Sequence, residues 1–324
     1  MSIIHRTFRR ARQKARELGN AVFIDRSGSA QTTVLYSSGR SGSTWLSEIL
    51  GSVPGTRIIF EPFHPRRGLA ELAEYRYRHI EPGQTAPILE EAYGGILKGQ
   101  RTTPWIEQLN RPTTMIYKRR LVKLVRANLL FPWLANRYPD QKHVLLLRHP
   151  AAVVLSQVRN GWNLSSARIR DQADLRQSPA ISALGSFGWP TSGFLSNLVF
   201  WAAENRVAID HALKSNTMIV FYEHICLSPA EVLDELSRFL GISLPTSALE
   251  RLDKVSWSSS ADIGSMSVSE KIARWKNDLS EEQASQVAQV LESCGLDQFY
   301  SLESKPVATG MEIVRKHNLR ISSD

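Results

Sequence analysis

Ser-Ser-Gly-Arg-Ser-Gly-Ser-Thr-Trp-Leu, from Ser37 to Leu46, is the stretch that decides the fold of this chain. It follows a run rich in β-branched residues, Thr32 to Leu35, and opens an apolar-periodic segment that ends near Gly51. This pattern predicts a strand, a glycine-bearing turn and a helix. Such a turn aims backbone N–H groups and a helix N-terminus at one point, where an anion satisfies them. The sequence therefore predicts a phosphate cradle, in which three hydroxyl groups add donors: Ser41, Ser43 and Thr44.

The cradle differs from the loop of nucleotide triphosphatases, which reads G-x-x-x-x-G-K-[ST]. Ser43 occupies the position of the lysine, and Ser37 occupies that of the leading glycine. The cation lies inside the turn instead, at Arg40. This disfavours a P-loop kinase of a small metabolite, which stays an alternative, and favours a phosphate-containing donor that needs no such lysine.

Strand and helix patterns alternate along the chain. Five short apolar runs predict buried strands: Thr32–Ser38, Arg57–Glu61, Thr114–Lys118, His143–Arg148 and Met218–Tyr222. Helical spacing follows over Leu121–Arg137, Ala151–Asn160 and Phe194–Lys214. The alternation predicts an α/β, three-layer, P-loop-like fold with a central parallel sheet of about five strands flanked by helices.

Ligands of such sheets gather at the carboxyl ends of the strands. This rule places the following groups on one rim: the cradle, Glu61, Lys118 with Arg119, Arg148, and Tyr222. Two long excursions, His64–Pro112 and Gly161–Ser192, interrupt the alternation. Excursions of this length in a compact domain are commonly substrate loops, so we expect acceptor recognition there.

Charge and length suggest one domain with two polar ends. The chain has 324 residues, 42% of them hydrophobic, and a net charge of +9. We expect a basic N-terminal arm over 1–28, one domain over 29–302 and a polar tail over 303–324. Residues 1–20 hold six basic side chains against one acid, and their apolar residues recur at helical spacing. One hypothesis is an amphipathic helix that contacts a membrane surface; the alternatives are a helix docked on its own domain and a frayed arm.

A second basic concentration lies inside the domain: Lys118, Arg119, Arg120, Lys123 and Arg126. It suits a polyanionic ligand or, equally, a solvated helix face. The two cysteines, Cys226 and Cys294, form no C-x-x-C pair, so neither a structural metal nor a disulfide framework is expected. A cytoplasmic setting is predicted, since no apolar run reaches the length of a membrane span.

The segment His143–Gln157 supplies a second predicted anion site. Arg148 ends a buried strand, Pro150 starts a helix, and Ser156 follows about two turns later. A guanidinium and a hydroxyl so placed can bind one phosphate. Two anion sites are thus expected on one rim.

With these two motifs the sequence resembles the sulfotransferase family, whose donor is 3′-phosphoadenosine 5′-phosphosulfate (PAPS). Arg40 to Leu46 matches the family's 5′-phosphosulfate loop, [RK]-S-G-[ST]-[ST]-[WF]-L, and Arg148, Pro150 and Ser156 match its 3′-phosphate motif, R-x-P-x-x-x-x-x-S. Tyr222-Glu223-His224 resembles a third element, with His224 in place of the usual aspartate.

The resemblance implies roles for individual residues. The 5′-phosphosulfate would be held by Arg40, Ser41, Gly42, Ser43 and Thr44. Trp45 would stack near adenine, and Arg148 with Ser156 would hold the 3′-phosphate. Tyr222 would line the nucleotide pocket, and Arg274, from an element resembling the family's C-terminal W-[RK], would close over it.

Phe60 to His64 resembles the F-E-P element of the carbohydrate-type branch, which implies Glu61 as general base, with His64 in reserve. The alternative is a structural role, in which Glu61 is an acid at a helix N-terminus, stabilised by the helix dipole and by Arg66 and Arg67. The Lys-Thr-His element of the phenol- and steroid-type branch is absent.

The sequence therefore predicts a sulfotransferase that transfers a sulfuryl group from PAPS to a hydroxyl of a saccharide or glycolipid, releasing 3′-phosphoadenosine 5′-phosphate (PAP). The non-enzymatic alternative is a basic module that binds membranes or polyanions. No nucleic-acid partner is expected, because aromatic residues are not interleaved with the basic clusters.

Overall fold

The computed structural model describes residues 23–110, 114, 116–245, 248 and 267–307. The helix predicted within residues 1–20, and the polar tail beyond residue 307, lie outside these residues. The predicted domain bounds stay predictions.

A sheet of five parallel strands forms the centre of the molecule, in the order β3-β5-β2-β6-β7. Two further strands, β1 and β4, pair as a separate two-stranded parallel sheet. The strands are β1 (Ile24–Asp25), β2 (Thr32–Ser37), β3 (Thr56–Phe60), β4 (Ile116–Tyr117), β5 (Arg119–Leu124), β6 (Lys142–Leu147) and β7 (Thr217–Phe221).

Helices connect the strands and cover both faces of the sheet. They are α1 (Ser43–Leu50), α2 (Ala70–Ala73), α3 (Pro87–Leu97), α4 (Phe131–Arg137), α5 (Pro150–Arg159), α6 (Ala167–Arg170), α7 (Pro179–Ala183), α8 (Gly193–Leu213), α9 (Tyr222–Leu227), α10 (Pro229–Leu240), α11 (Val268–Ala273) and α12 (Glu281–Ser293). Short 3-10 helices occur at Asn128–Leu130, Leu175–Gln177, Leu184–Phe187 and Arg274–Asp278.

The layers follow from the alternation of side chains along the central strand β2. Val34 and Tyr36 join a hydrophobic cluster with residues of α5, α8 and α12. Leu35, which points to the other face, joins a second cluster with residues of α1 and α10. The sheet therefore lies between two helical layers, which confirms the predicted α/β three-layer fold. No helix in the described part of the chain is both long and apolar enough to span a membrane.

The third central strand lies later in the sequence than predicted. Thr114–Lys118 does not enter the central sheet; β5, Arg119–Leu124, does. The helix predicted over Leu121–Arg137 is correspondingly wrong in its first part, since α4 begins only at Phe131. Three of the six residues of β5 are basic, so its composition does not suggest a buried strand. Two of them, Arg120 and Lys123, are nevertheless buried, because they bind polar partners.

This shift changes where the basic side chains lie. Arg119 begins β5, so it and Lys118 lie at the amino ends of the strands, opposite the predicted rim. Arg120 is buried, donating to Asp25 at 2.8 Å and to the carbonyl oxygen of Ser27. Lys123 and Arg126 lie at the carboxyl end of β5. The five basic residues from Lys118 to Arg126 therefore form neither one helix face nor one ligand site. Only Lys123 and Arg126 lie at the rim.

Candidate active site

The loop between β2 and α1 adopts the turn that the sequence predicts. Gly42 precedes the first residue of α1 with φ of 89°, in the left-handed region that favours glycine. A Cβ added there would lie 2.6 Å from Cδ2 of Tyr222, so the ring of Tyr222 packs directly on the loop. Arg40 has φ of 78° without being glycine. A non-glycine residue held in this region is strained, and such strain is typical of functional sites.

Arg40 and Arg148, from the two predicted anion motifs, lie side by side. The Nε of Arg40 donates to Oγ of Ser156 at 3.0 Å, and Nη1 of Arg148 donates to the carbonyl oxygen of Arg40 at 3.1 Å. Burial lowers the pKa of Arg40, and the positive charge of Arg148 lowers it further. Two neighbouring guanidinium groups beside a helix N-terminus form a strong anion site.

The other predicted nucleotide residues surround this pair. The guanidinium of Arg148 lies over the ring of Tyr222, 4.3 Å from its centroid, and Trp45 meets the same ring edge-on at 5.8 Å. Among the described residues, the buried hydroxyl of Ser41 has no hydrogen-bond partner, so the cradle holds a donor ready for a ligand. These groups fit a bisphosphorylated nucleotide.

Arg274 lies next to Trp275 in the C-terminal part of the domain. It begins the 3-10 helix that contains Trp275, and no hydrogen bond or ion pair joins it to the cradle within the described residues. Trp275 instead stacks on His149, with ring centroids 4.0 Å apart. The proposed closing role of Arg274 stays a prediction.

His149 fastens the end of β6 to the C-terminal part of the domain. Its Nε2 lies 2.8 Å from the carbonyl oxygen of Ser301, and its backbone N–H donates to Glu223 at 2.8 Å. Tyr300 donates its hydroxyl to the other oxygen of Glu223 at 3.2 Å. Burial lowers the pKa of His149 to about 3, so the ring is neutral and donates through Nε2. Arg148, the next residue back, is thereby held in place.

Glu61 lies at the end of β3 with its carboxylate between two cations. Lys123 Nζ donates to Oε1 at 2.6 Å, and Arg126 Nη1 donates to Oε2 at 2.7 Å. Burial alone would raise the pKa of Glu61, but these two charges outweigh burial and lower it to about 2. The carboxylate is therefore ionised at neutral pH and weakly basic in this state. The structural role at a helix N-terminus is excluded, because Glu61 does not directly precede a helix. Its ion pairs are with Lys123 and Arg126 rather than with Arg66 and Arg67.

The backbone of Glu61 is also anchored. Its N–H donates to the carbonyl oxygen of Lys123 at 3.0 Å, and its φ is 41°, which is strained for a non-glycine residue. Sequence reasoning had missed Lys123 and Arg126 as site residues. The sequence gives little sign of them, because Arg120-Leu121-Val122-Lys123 places two adjacent apolar residues between basic ones and does not alternate as a half-buried strand does.

His64, the reserve base, lies beside Glu61 on the other side. Its Nδ1 accepts the backbone N–H of Arg66 at 3.2 Å, and its ring packs 4.9 Å from that of Trp105. Burial and the charge of Arg126 lower its pKa, so the ring is neutral at neutral pH. That hydrogen bond favours the tautomer with its proton on Nε2, which leaves Nδ1 as the acceptor. The acceptor atom of the neutral ring is therefore already occupied, and the choice between Glu61 and His64 as the base stays a prediction.

A buried carboxyl group that the sequence did not reveal lies behind the loop. Glu204, on α8, accepts a hydrogen bond from Oγ of Ser38 at 2.6 Å, and Asn205 donates to the same Oγ at 2.9 Å. Its Oε2 is buried and has no partner among the described residues. Burial raises the pKa of Glu204 to about 8, against weaker opposition from Ser38 and Arg126. At neutral pH it is mostly protonated and adds little negative charge behind the cradle.

The described residues contain no cluster of side chains able to hold a metal ion. The cations that the structure places near the rim are arginine and lysine side chains: Arg40, Arg148, Lys123 and Arg126.

Several solved structures and a family model match this chain. A search of curated protein sequences returned no match. Among solved structures, a sulfotransferase domain from the curacin biosynthetic pathway is 15% identical with a TM-score of 0.48, and covers 83% of this chain and 98% of its own. The sulfotransferase domain of the Synechococcus PCC 7002 olefin synthase is 17% identical with a TM-score of 0.45, covering 84% and 95%. Mouse sulfotransferase SULT7A1, complexed with PAP, is 14% identical with a TM-score of 0.47, covering 94% and 93%.

The family model described as the sulfotransferase domain matches residues 31–299, which span the whole central sheet. Both anion motifs and Glu61 lie within the match. The chain belongs to the sulfotransferase family.

Proposed function

We propose that the protein transfers a sulfuryl group from PAPS to a hydroxyl of a saccharide or glycolipid, with Glu61 as the general base. Membership of the family makes it a sulfotransferase with PAPS as its donor. The acceptor class and the roles of single residues are the proposal. The cytoplasmic setting and a membrane contact of the N-terminal arm remain predictions.

One observation carries the donor site: Arg148 and Ser156 both contact Arg40, which is distant from them in the sequence. Two like charges close together in a partly buried place repel each other, and a bound anion relieves this repulsion. The Ser41 hydroxyl and the helix N-terminus at Gly42 point to the same ligand. Arg148 and Ser156 would hold the 3′-phosphate, and Arg40 with the loop would hold the 5′-phosphosulfate.

Sulfuryl transfer makes two demands on these residues. The acceptor oxygen forms a bond to sulfur as the bond from sulfur to the 5′-phosphate oxygen breaks, so negative charge grows on that phosphate. Arg40 and the loop N–H groups are preorganised to stabilise this charge. The proton of the acceptor hydroxyl must leave, and in this proposal Glu61 takes it.

Lys123 and Arg126 connect the two demands. In the absence of donor, both cations bind Glu61 and hold its pKa at about 2. Beside a bound donor, they would divide their hydrogen bonds between Glu61 and the sulfuryl oxygens. Each bond that Glu61 gives up raises its basicity. Glu61 then becomes more basic only when the donor is bound. Removal of the acceptor's proton is thereby disfavoured when no sulfuryl group is available.

The acceptor class is supported by the rings that flank Glu61. Trp105 packs against His64, and Trp162 lies under the guanidinium of Arg126, which binds Glu61; each ring is partly exposed, and both belong to the excursions expected to bind acceptor. Partly exposed indole rings near the proposed base provide apolar surface on which a sugar ring can pack.

Calorimetric titration with PAP tests the donor site. Arg40→Ala and Arg148→Ala should each weaken PAP binding roughly 10- to 100-fold, the effect of losing a charge-assisted hydrogen bond. Arg119→Ala, an arginine at the opposite edge of the sheet, is the matched control and should bind PAP like the wild type. Equal PAP affinity in all four proteins would contradict the site.

Transfer of labelled sulfate from PAPS tests the base and the acceptor. Glu61→Gln should keep PAP affinity and lose transfer by a factor of roughly 100 to 10,000. A panel of neutral oligosaccharides, a glycolipid, a phenol and a sterol tests the acceptor class. Turnover of the phenol or sterol with none of the sugars would overturn that part of the proposal.

A further inference from the structure

Pairs of a cation and an aromatic ring surround Glu61. In each pair the charged group lies over the ring, between 4.1 and 5.2 Å from its centroid. The pairs are Lys123 with Phe60, Arg126 with Trp162, and Arg67 with Trp105. The first two cations bind Glu61 itself, whereas Arg67 is exposed and lies on the outer side.

Arg67 is held at this place by the segment around Trp105. Thr103 donates its hydroxyl to the carbonyl oxygen of Arg67 at 2.9 Å, and the guanidinium lies 4.9 Å from the centroid of Trp105. His64 packs on the same ring, and the charge of Arg67 helps to lower the pKa of His64, which neighbours Glu61. Arg67 therefore projects its charge into the space beside the proposed base.

Arg168, on α6, approaches from the second excursion. Gln172 donates to the carbonyl oxygens of Tyr77 and Arg168, at 3.0 and 2.9 Å, and so ties the two segments together. Burial raises the pKa of Tyr77, and Arg126 and Arg168 oppose this shift. Arg168 is exposed. The backbone N–H of Tyr77, in the segment that Gln172 ties to Arg168, donates to the carbonyl oxygen of Arg126 at 2.8 Å, and Arg126 binds Glu61.

The inner cations balance most of the donor's charge. PAPS carries roughly four negative charges, since a phosphate monoester alone carries close to two. The inner cations are Arg40, Arg148, Lys123 and Arg126, and Glu61 offsets one of them. The donor and the inner residues together therefore carry a net charge of about −1. Arg67 and Arg168 change this sum to about +1, which one anionic group on the acceptor would balance.

We propose that the acceptor carries an anionic group, a carboxylate or a phosphate, and that Arg67 and Arg168 bind it. The inference rests on the function proposed above and specifies the acceptor of that same site. A guanidinium beside an indole ring is partly shielded from water, so its charge-assisted bond to an anion is stronger than that of a freely solvated arginine.

Three sugars that differ in one substituent test the proposal: methyl glucuronide, glucose 6-phosphate and methyl glucoside. Their binding to PAP-loaded protein is measured by calorimetry, together with transfer from PAPS. At least one anionic sugar should bind about tenfold more tightly than the neutral one. In Arg67→Gln, and more completely in the double variant with Arg168→Gln, this preference should fall to about unity while binding of the neutral sugar stays unchanged.

Arg238→Gln, on α10, is the matched control, because Arg238 is an exposed cation on another element. It should keep the full preference. Equal binding of the three sugars by the wild type, binding of none of them, or a preference that survives in the double variant would overturn the proposal. PAP affinity is measured first, because it distinguishes failure of the donor site from failure of the acceptor proposal. Absence of PAP binding refutes the donor site. PAP binding without a preference for anionic sugars refutes the anionic acceptor alone.

Discussion

Replacement of Glu204 by glutamine should change how stability depends on pH. The pKa of Glu204 is raised to about 8 in the folded protein, chiefly by burial, against an ordinary value of 4.5. The folded state therefore binds this proton more tightly than the unfolded state, and unfolding releases it at pH values between the two. The free energy of unfolding then falls as pH rises, by about 1.4 kcal/mol per pH unit.

Glutamine carries no proton to release, so this slope is missing from the variant. Its Oε1 can still accept the hydrogen bond from Ser38, and its buried amide group costs an amount that does not vary with pH. Between about pH 5.5 and about pH 7.5, the free energy of unfolding of the variant should rise by on the order of 3 kcal/mol relative to that of the wild type. Urea unfolding at several pH values measures the difference, and contributions from all other groups cancel.

Glu61→Gln is the control, because it is the same substitution at a carboxyl group whose pKa is shifted the other way. With a folded-state pKa of about 2, Glu61 is ionised in both states over this range, and its stabilising contribution is lost only as pH falls below about 4.5. Its curve should run parallel to that of the wild type. Parallel curves for Glu204→Gln as well would refute the assignment of a protonated acid behind the loop.

Three further predictions concern the loop, the cation beside the base and the core. Gly42→Ala should weaken PAP binding at least tenfold, measured by calorimetry, because alanine at φ of 89° is strained and its Cβ meets the ring of Tyr222; unchanged affinity would contradict the tight packing. Lys123→Met should raise the pKa of Glu61, so the acid limb of the pH profile of kcat/KM should move to higher pH, whereas a purely structural lysine would lower the rate without moving it. Arg57→Met should lower the free energy of unfolding by roughly 3–5 kcal/mol in urea, because it leaves the buried carboxylates of Asp25 and Glu107 without that partner; a loss below about 1 kcal/mol would show that they find others.

The part of the site that local sequence determines was predictable. The loop from Ser37 to Leu46 forms within one β-to-α turn, and Ser156 follows Arg148 at a spacing that an α-helix fixes. Their convergence with Arg40 required only that parallel strands end at one edge. The predicted strands that were correct have continuous apolar centres, which predict burial: Val34–Tyr36, Ile58–Phe60, Val144–Leu147 and Met218–Phe221.

The rest depended on partners that a single segment does not reveal. Arg120 and Lys123 can lie in a buried strand because Asp25 and Glu61, distant in sequence, bind them. Glu204 lies within an apolar helix, where its pattern gives no hint that Ser38 would meet it. Tertiary contacts of this kind override local preference, which is why β5 was misplaced and the cations around the base were missed.

The position of His149 has a consequence for the order of synthesis. His149, the residue beside Arg148, contacts Trp275, Tyr300 and Ser301, which are synthesised well after both anion motifs. A nascent chain that lacks them holds both motifs but lacks the His149 contacts that help to position Arg148. We therefore expect donor affinity to reach its full value only after Ser301 has left the ribosome, so shorter nascent chains would bind the nucleotide weakly.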